Sequence, residues 1–226
     1  MATLRRELET DLGLREEIRT EERDEKSIQL AMKRALDIVG GVMLLAILAI
    51  PALVIAILVR IDSPGPIFLR QRRVGRYGHV FGLYKFRTMC DRADDMVFEL
   101  QAHNEQQGPL FKIRSDPRMT RVGRWLRKTS IDELPQLLNA VRGEMSLVGP
   151  RPPLPREVQI YTPRQLGRLA AKPGMTGLWQ VSGRSLLSFE EMVTLDLQYI
   201  DEWSFANDLM ILAKTMPSVI SAKGAY

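Results

Sequence analysis

From Ile38 to Val59 the chain runs 22 residues without a charge, and no other stretch restricts its choice of fold as strongly. As a straight helix this segment would reach about 33 Å, against a hydrocarbon core of about 30 Å. Length alone favours a plain membrane-spanning helix. Two features argue for another path. Pro51 stands near the middle, where it removes a backbone donor and bends the helix. Both flanks are also basic, with Lys33 and Arg34 before the segment and Arg60, Arg70, Arg72, Arg73 and Arg76 after it. Basic flanks prefer the cytoplasmic side, so a straight span has no preferred orientation. A helix that enters, breaks at Pro51 and returns to the same face satisfies both flanks. Asp37 lies one turn from Lys33 and Arg34, which would pair its charge at the membrane mouth.

Residues 1–30 alternate acids and bases and hold too few apolar residues for a core. They read as a charged leader, either an exposed helix or a disordered arm, without the apolar stretch of a signal peptide. The 226 residues suffice for one domain plus appendages, and the formal charge of +5 suits anionic lipid, a nucleotide or nucleic acid equally well. Cys90 is the only cysteine, so no disulfide forms within the chain, as expected in a reducing compartment.

Beyond the turn Ser63-Pro64-Gly65-Pro66, the runs Ile67–Val74 and His79–Met89 flank Gly75-Arg76-Tyr77-Gly78 and predict a β-hairpin. Residues 91–106 read as an acidic helix. Thr120 caps a short helix with Val122, Trp125 and Leu126 on one face. A helix after Ser130 carries Leu134, Leu137, Leu138 and Val141, and Ser146-Leu147-Val148 is a short strand. Gly149 to Pro153 can be neither helix nor central strand. Glu190–Tyr199 and Asp208–Met216 are amphipathic. The stripe Leu209, Leu212, Ala213 and Met216 reads first as core and second as a membrane-interface face. The expected fold is mostly α with a short β-hairpin and minor strands. It divides into the leader, a Pro-broken re-entrant membrane helix at 31–62, and a cytosolic catalytic domain with interfacial amphipathic helices at 63–226.

No phosphate-binding glycine loop, HExxH, CxxC or GxSxG is present, and His79 and His103 are the only histidines. Nucleophilic chemistry would need another group, and Thr129–Gln136 supplies two adjacent carboxylates, Asp132 and Glu133. Ser130 with Glu133 three residues on has the spacing of a capping box, and spacing alone favours that role. The chemical reading rests on the surroundings. An aspartate is ionised at pH 7 and can attack phosphorus directly, provided cations offset the charge of the phosphoryl oxygens. Arg127 lies five residues before Asp132, Arg151 is held between prolines, and Lys85 and Arg87 stand in Lys85-Phe86-Arg87-Thr88-Met89. Adjacent carboxylates oppose each other's ionisation, which Mg²⁺ would relieve. Arg118, Arg121 and Arg124 recur every three residues and read as a solvated or lipid-facing surface. Lys172–Arg184, ending in Arg184, reads first as a structural loop with Trp179 in the core and second as a nucleotide-binding loop.

Taken together, the Pro-broken apolar segment, Lys85–Met89, Arg127–Gln136, Leu147–Pro152 and Lys172–Arg184, extending to Asp196, Tyr199, Trp203-Ser204 and Asp208, resemble the bacterial polyprenyl-phosphate sugar-1-phosphate transferases, the small monotopic phosphoglycosyl transferases. The resemblance covers about residues 30–220. It implies transfer of a sugar 1-phosphate from a UDP-sugar to undecaprenyl phosphate with release of UMP, the first membrane step of exopolysaccharide or O-antigen assembly. By that resemblance Asp132 is the nucleophile that carries the phospho-sugar, and Glu133 supports phosphate and metal. Asp132 and Glu133 hold Mg²⁺, and Arg127 and Arg151 bind phosphate. Lys85, Arg87 and Arg184 are the further phosphate or nucleotide contacts. The membrane helix is re-entrant, with Ile50-Pro51 where the family often has Ser-Pro. The implied location is the cytoplasmic face of the bacterial inner membrane, against membrane lipid and without nucleic acid. Val148–Pro155 leans toward a hexose, and the oligomeric state stays open between monomer and homodimer. Two alternatives remain: a membrane-tethered basic binding module without catalysis, and a membrane phosphatase using the same carboxylate.

Overall fold

Proline cannot donate to the carbonyl four residues before it, and its ring crowds that carbonyl. For Pro51 that residue is Ile47, which is where helix α1 (Ala2–Ile47) ends. Helix α2 (Ala49–Asp62) follows at once, and its axis departs by 62° from that of the α1 limb Glu25–Ile47. Leu48 carries the break, bridged by hydrogen bonds from Leu48 N to Leu44 O and from Ala52 N to Leu48 O. The bend therefore precedes the proline instead of falling on it. Pro51 sits in the first turn of α2, where N–H groups have no partner within the helix.

The computed structural model describes residues 2–221, apart from Arg92, Asp94, Phe98, 101–112 and Arg114; side chains are described from Glu25 on, except Val97, Ser185 and 219–221. The charged leader forms the first part of α1. Among the described residues no single helix is long and apolar enough to cross a membrane, but the bent pair meets that test together. Its outer surface exposes Val39, Val42, Ile47, Ile50, Leu53 and Ile57. An apolar face of this extent marks a membrane or partner contact.

Strands β1 (Phe68–Val74) and β2 (Val80–Phe86) form the expected antiparallel hairpin, with Leu69 opposite Lys85 and Gln71 opposite Leu83. The period of two puts Leu69, Gln71, Arg73, Leu83 and Lys85 on one face. Helix α3 (Arg121–Thr129) starts as expected, with Thr120 Oγ1 accepting from Gly123 N. Only glycine fits at 123, since a Cβ would overlap the carbonyl oxygen of Thr88. Leu126 is fully buried, whereas Trp125 faces outward. A 3-10 turn (Ile131–Gln136) leads into α4 (Leu137–Arg142). Strand β3 (Ser146–Val148) pairs in parallel with β4 (Gly174–Thr176). Two short helices, α5 (Pro155–Val158) and α6 (Pro163–Leu166), lie between them, and α7 (Leu178–Ser182), α8 (Phe189–Asp201) and α9 (Phe205–Ser221) complete the chain. Of the acidic helix expected at 91–106, the described residues contain only a 3-10 turn at Asp95–Val97, and 101–106 lie outside them. On α9 the buried residues are Asp208 and Ile211, while Leu209, Met210 and Met216 are exposed. The apolar stripe is thus mainly surface rather than core.

Both limbs of the bent pair are rooted in the domain. Leu36, Leu45 and Leu48 pack on a core of Leu137, Ala140, Leu147, Val148, Tyr199 and Ile211. Ile55, Ala56 and Val59 of α2 pack with Phe86 and Leu126. Asp37 does not pair with Lys33 or Arg34. It is buried and accepts from Ser146 Oγ at 2.9 Å and Leu147 N at 2.8 Å. Those bonds satisfy donors at the start of β3 that water cannot reach. Lys33 instead donates to Asp208 Oδ2 at 2.6 Å and Val148 O at 2.8 Å, and Arg34 donates to the carbonyls of Ala140 and Val141.

Removing one partner of a buried pair strands the other charge. Asp208→Ala is expected to lower unfolding stability by about 3–5 kcal/mol. Adding Lys33→Met should recover part of the loss, read as thermal melting in detergent micelles.

Candidate active site

Ser130 closes α3 in the left-handed conformation (φ 57°, ψ 16°), and its side chain makes no capping bond. The capping box expected with Glu133 is therefore not formed. A residue that terminates one helix in αL cannot hold the extended geometry of an N-cap for the next. Ser130 Oγ accepts instead from Arg184 Nη2 at 2.9 Å. The tight 3-10 turn that follows buries Asp132, which is 8% exposed, and leaves Glu133 half-buried, paired with Arg151 at 3.3 Å.

Burial and then the adjacent Glu133 charge push the Asp132 carboxyl up to about 6, against the opposing pull of Arg127, Lys85 and Arg151. Lys85 moves the other way. Burial, followed by Arg127 and Arg73, draws its ammonium down to about 8, with Asp132 opposing. Burial also lowers Arg127, whose Nε donates to Thr88 Oγ1 at 3.2 Å. Gly123 makes that bond possible, because it lets α3 lie directly on Thr88 at the end of β2.

Arg151 is 43% exposed at the side chain and follows β3 on a Pro-flanked loop. Arg184 donates to Ser218 O as well as to Ser130, tying α9 to the Asp132 turn. Arg87 is buried and donates to Ser63 O at 2.6 Å and Val59 O at 3.3 Å, so its guanidinium holds the end of α2. A cavity of about 1190 Å³ is lined by all seven residues expected to act in catalysis or in phosphate and nucleotide binding, Lys85, Arg87, Arg127, Asp132, Glu133, Arg151 and Arg184. It also reaches Leu44 and Leu48 at the helix bend, and Trp179 and Phe189 on the far side. Trp179 is buried, as a core residue would be, yet it lines this cavity.

Sequence reasoning missed several lining residues. Arg118 was expected at the surface but is buried, paired with Asp116 at 2.6 Å. Arg168 is buried against Asp196 and donates to Tyr161 Oη at 3.2 Å. Arg73 was read only as a membrane flank. It donates to Pro152 O and Gln71 Oε1, and burial followed by Arg151 lowers it to about 10. Strand alternation was the available signal, since it separates Arg73 from Arg70 and Arg72.

Among the described residues no group of three or more His, Cys, Asp or Glu could hold a metal alone. The Asp132–Glu133 pair nonetheless fits Mg²⁺, which commonly takes one or two carboxylates and completes its shell with substrate phosphate and water. The upward shift of Asp132 comes first from burial and second from the adjacent Glu133 charge, and a bound cation would offset both.

The family model described as bacterial sugar transferase matches residues 28–222. The chain belongs to that family and is an enzyme of the transferase class. It is 46% identical over 201 residues to the galactosyl transferase CpsE of Streptococcus agalactiae serotype III, covering 88% of this chain and 44% of that protein. It is 41% identical over 198 residues to the exopolysaccharide production protein ExoY of Rhizobium meliloti, covering 86% and 88%. It is 40% identical over 204 residues to the UDP-glucose:undecaprenyl-phosphate glucose-1-phosphate transferase of Caulobacter vibrioides, covering 86% and 72%. The chain thus spans less than half of CpsE but most of ExoY.

Lys85 is expected to titrate near pH 8, well below an ordinary lysine. The pH dependence of its acylation, followed by mass spectrometry, checks this against a lysine in an unstructured peptide, which titrates at about pH 10.4.

Proposed function

We propose that the chain is a phosphoglycosyl transferase. It moves a sugar 1-phosphate from a UDP-sugar to undecaprenyl phosphate and releases UMP, on the cytoplasmic face of the bacterial inner membrane. One observation carries this reading: a single cavity contains Asp132 with its cations and also reaches Leu48, the hinge of an exposed apolar helix pair. A water-soluble anionic donor and a lipid-borne acceptor can therefore meet at one carboxylate. The substrate classes come from the names of relatives, which include the Caulobacter glucose-1-phosphate transferase and the undecaprenyl-phosphate galactose phosphotransferase of Salmonella typhimurium. They also support a hexose as the sugar.

In this reading the apolar faces of α1 and α2 lie in lipid as a re-entrant helix pair, and the exposed stripe of α9 rests on the interface. The donor diphosphate enters among Arg127, Lys85 and Arg151. These cations lower the repulsion that an anionic nucleophile meets at an anionic phosphorus. Asp132 then attacks the β-phosphorus. A carboxylate–phosphorus bond forms, the bond from that phosphorus to the α–β bridging oxygen breaks, and UMP leaves with the electron pair. An oxygen of the lipid phosphate next attacks the same phosphorus, and the Asp132 carboxylate departs. Glu133 stays paired with Arg151 and keeps that arginine at the mouth of the site. Bound to Asp132 and Glu133, Mg²⁺ would supply charge neutralisation of the diphosphate.

The purified chain, incubated with Mg²⁺, undecaprenyl phosphate and UDP-glucose or UDP-galactose, should release UMP. Asp132→Asn should lose about 10³-fold or more of that rate while melting at or above the parent temperature, since a destabilising buried charge is removed. Normal turnover by this variant would sink the mechanism.

The pH profile is a separate check. Protonated Asp132 cannot attack, so kcat/KM for the donor should fall about tenfold per unit below pH 6. It should fall again above about pH 8 as Lys85 loses its proton, and Lys85→Arg should move that alkaline limb out of range.

A further inference from the structure

Buried cations normally lie beside carboxylates. Arg73 and Lys85, both half-buried, are arranged differently. On the inner face of the hairpin, Gln71 Oε1 accepts from Arg73 Nη2 at 2.8 Å and from Lys85 Nζ at 3.2 Å. A neutral amide oxygen has two lone pairs, so it can hold both cations and cancel neither. Arg73 Nη1 is committed to Pro152 O at 2.9 Å, another neutral acceptor. Arg73 Nε is buried with no partner among the described residues. Gln71 is also the only hydrogen-bond acceptor of Lys85 among those residues, which leaves N–H capacity on the ammonium unused.

The charges facing these two groups do not restore balance. Arg127 comes from α3 and Arg151 from the loop after β3, both adding positive charge. Arg156 on α5 adds more near Arg73. Of the carboxylates, Glu133 is paired with Arg151, and Glu157 accepts from Leu154 N at 2.8 Å. Asp132 remains, already surrounded by cations. Gln71, Arg73 and Lys85 all line the large cavity. Uncancelled charge and unused donors in a cavity call for an anion rich in oxygen.

We propose that Arg73 and Lys85, bridged by Gln71, form a phosphoryl-binding subsite beside Asp132, with Gln71 as the positioning residue that fixes their spacing. Glutamine suits this role where its neighbours in shape do not. A glutamate would accept the same hydrogen bonds but neutralise one cation. A methionine would fill the space but let the cations spread apart. The subsite rests on the phosphoglycosyl-transfer reading only for the source of its phosphoryl group, which is either the donor diphosphate or the lipid phosphate.

Gln71→Glu gives opposite outcomes for the two roles that Gln71 could have. If Gln71 only supports the fold, glutamate preserves both bonds, the melting temperature holds or rises, and anion affinity holds. If it organises a phosphoryl subsite, the variant still melts at or above the parent, but its affinity for inorganic pyrophosphate falls about tenfold or more. The measurement is isothermal titration calorimetry on the full chain in detergent micelles at low salt. Gln71→Met should also lose affinity, by about threefold or more, with a lower melting temperature; it decides the matter if the glutamate variant does not fold. Unchanged pyrophosphate affinity in a folded variant, or no pyrophosphate binding by the parent, overturns the subsite.

The source is read from UMP release by Gln71→Glu. A raised KM for the UDP-sugar alone assigns the donor diphosphate, and a raised KM for undecaprenyl phosphate alone assigns the lipid phosphate. A parent that binds pyrophosphate in a Gln71-dependent way but transfers no sugar phosphate leaves the subsite standing and overturns the proposed function.

Discussion

Positive charge kept inside a protein without being cancelled is the condition on which this structure depends. A carboxylate can approach a phosphate only where cations offset the repulsion, and a cation already paired with a carboxylate has little left to give. Several buried or half-buried arginines here are anchored on backbone carbonyls. Arg73 rests on Pro152, Arg87 on Val59 and Ser63, and Arg34 on Ala140 and Val141. The supply of such carbonyls follows from the architecture. Each helix end presents C=O groups without an intrahelical partner, and the dipole there favours cations. Val59 lies in the last turns of α2, and Ala140 and Val141 in the last turn of α4. Breaking the chain into short helices thus provides places to hold guanidinium groups without neutralising them.

The same arrangement ties the apolar pair to the rest of the domain. Arg87 clamps the end of α2, Arg34 and Lys33 clamp α1, and Asp37 accepts from the start of β3. The bend at Leu48 is consequently fixed by packing on both of its limbs, with proline only removing the bond that would have kept the helix straight. A cavity that runs from Asp132 to that bend inherits its shape from both limbs. Where the apolar pair sits therefore determines where the far end of the cavity opens.

Local signals made much of this legible in the sequence. The hairpin around Gly75–Gly78, the Thr120 cap and the strand at Ser146 each depend on neighbours within a few residues, and each formed as expected. Asp132, Arg127, Arg151 and Lys85 stood out in the sequence by their charges, and the fold brings them to one cavity. Failures arose where distant partners outbid local ones. Asp37 gave up its neighbours on α1 for a backbone N–H 110 residues away. Ser130 and Glu133 had the spacing of a capping box, but the end of α3 forced Ser130 into αL. The stripe on α9 had the right composition for a core, yet the buried face is the one carrying Asp208 and Ile211. Gln71 was overlooked because it is neutral, and nothing in a sequence marks an amide that lies between two cations.

Burial alone does not single out the proposed nucleophile, since Asp37, Asp132, Asp196 and Asp208 are all buried. What separates them is how their lone pairs are used. Asp208 accepts from Lys33, Tyr199 and Trp203. Asp196 is bound to Arg168, and Asp37 serves Ser146 and Leu147. Each of these bonds stabilises the anion at the oxygen it reaches. No hydrogen bond from the described residues reaches the Asp132 carboxylate, and its charge is supported only at longer range by Arg127, Lys85 and Arg151. Those cations are in turn held by Thr88, Gln71 and Glu133. In the proposed reaction this second layer keeps the cations close enough to draw an anionic substrate in, and positioned so that they do not quench the carboxylate that would meet it. Asp132 is the one acid of the four that accepts no hydrogen bond from the described residues, and it alone of the four lines the cavity where the positive charge is left over.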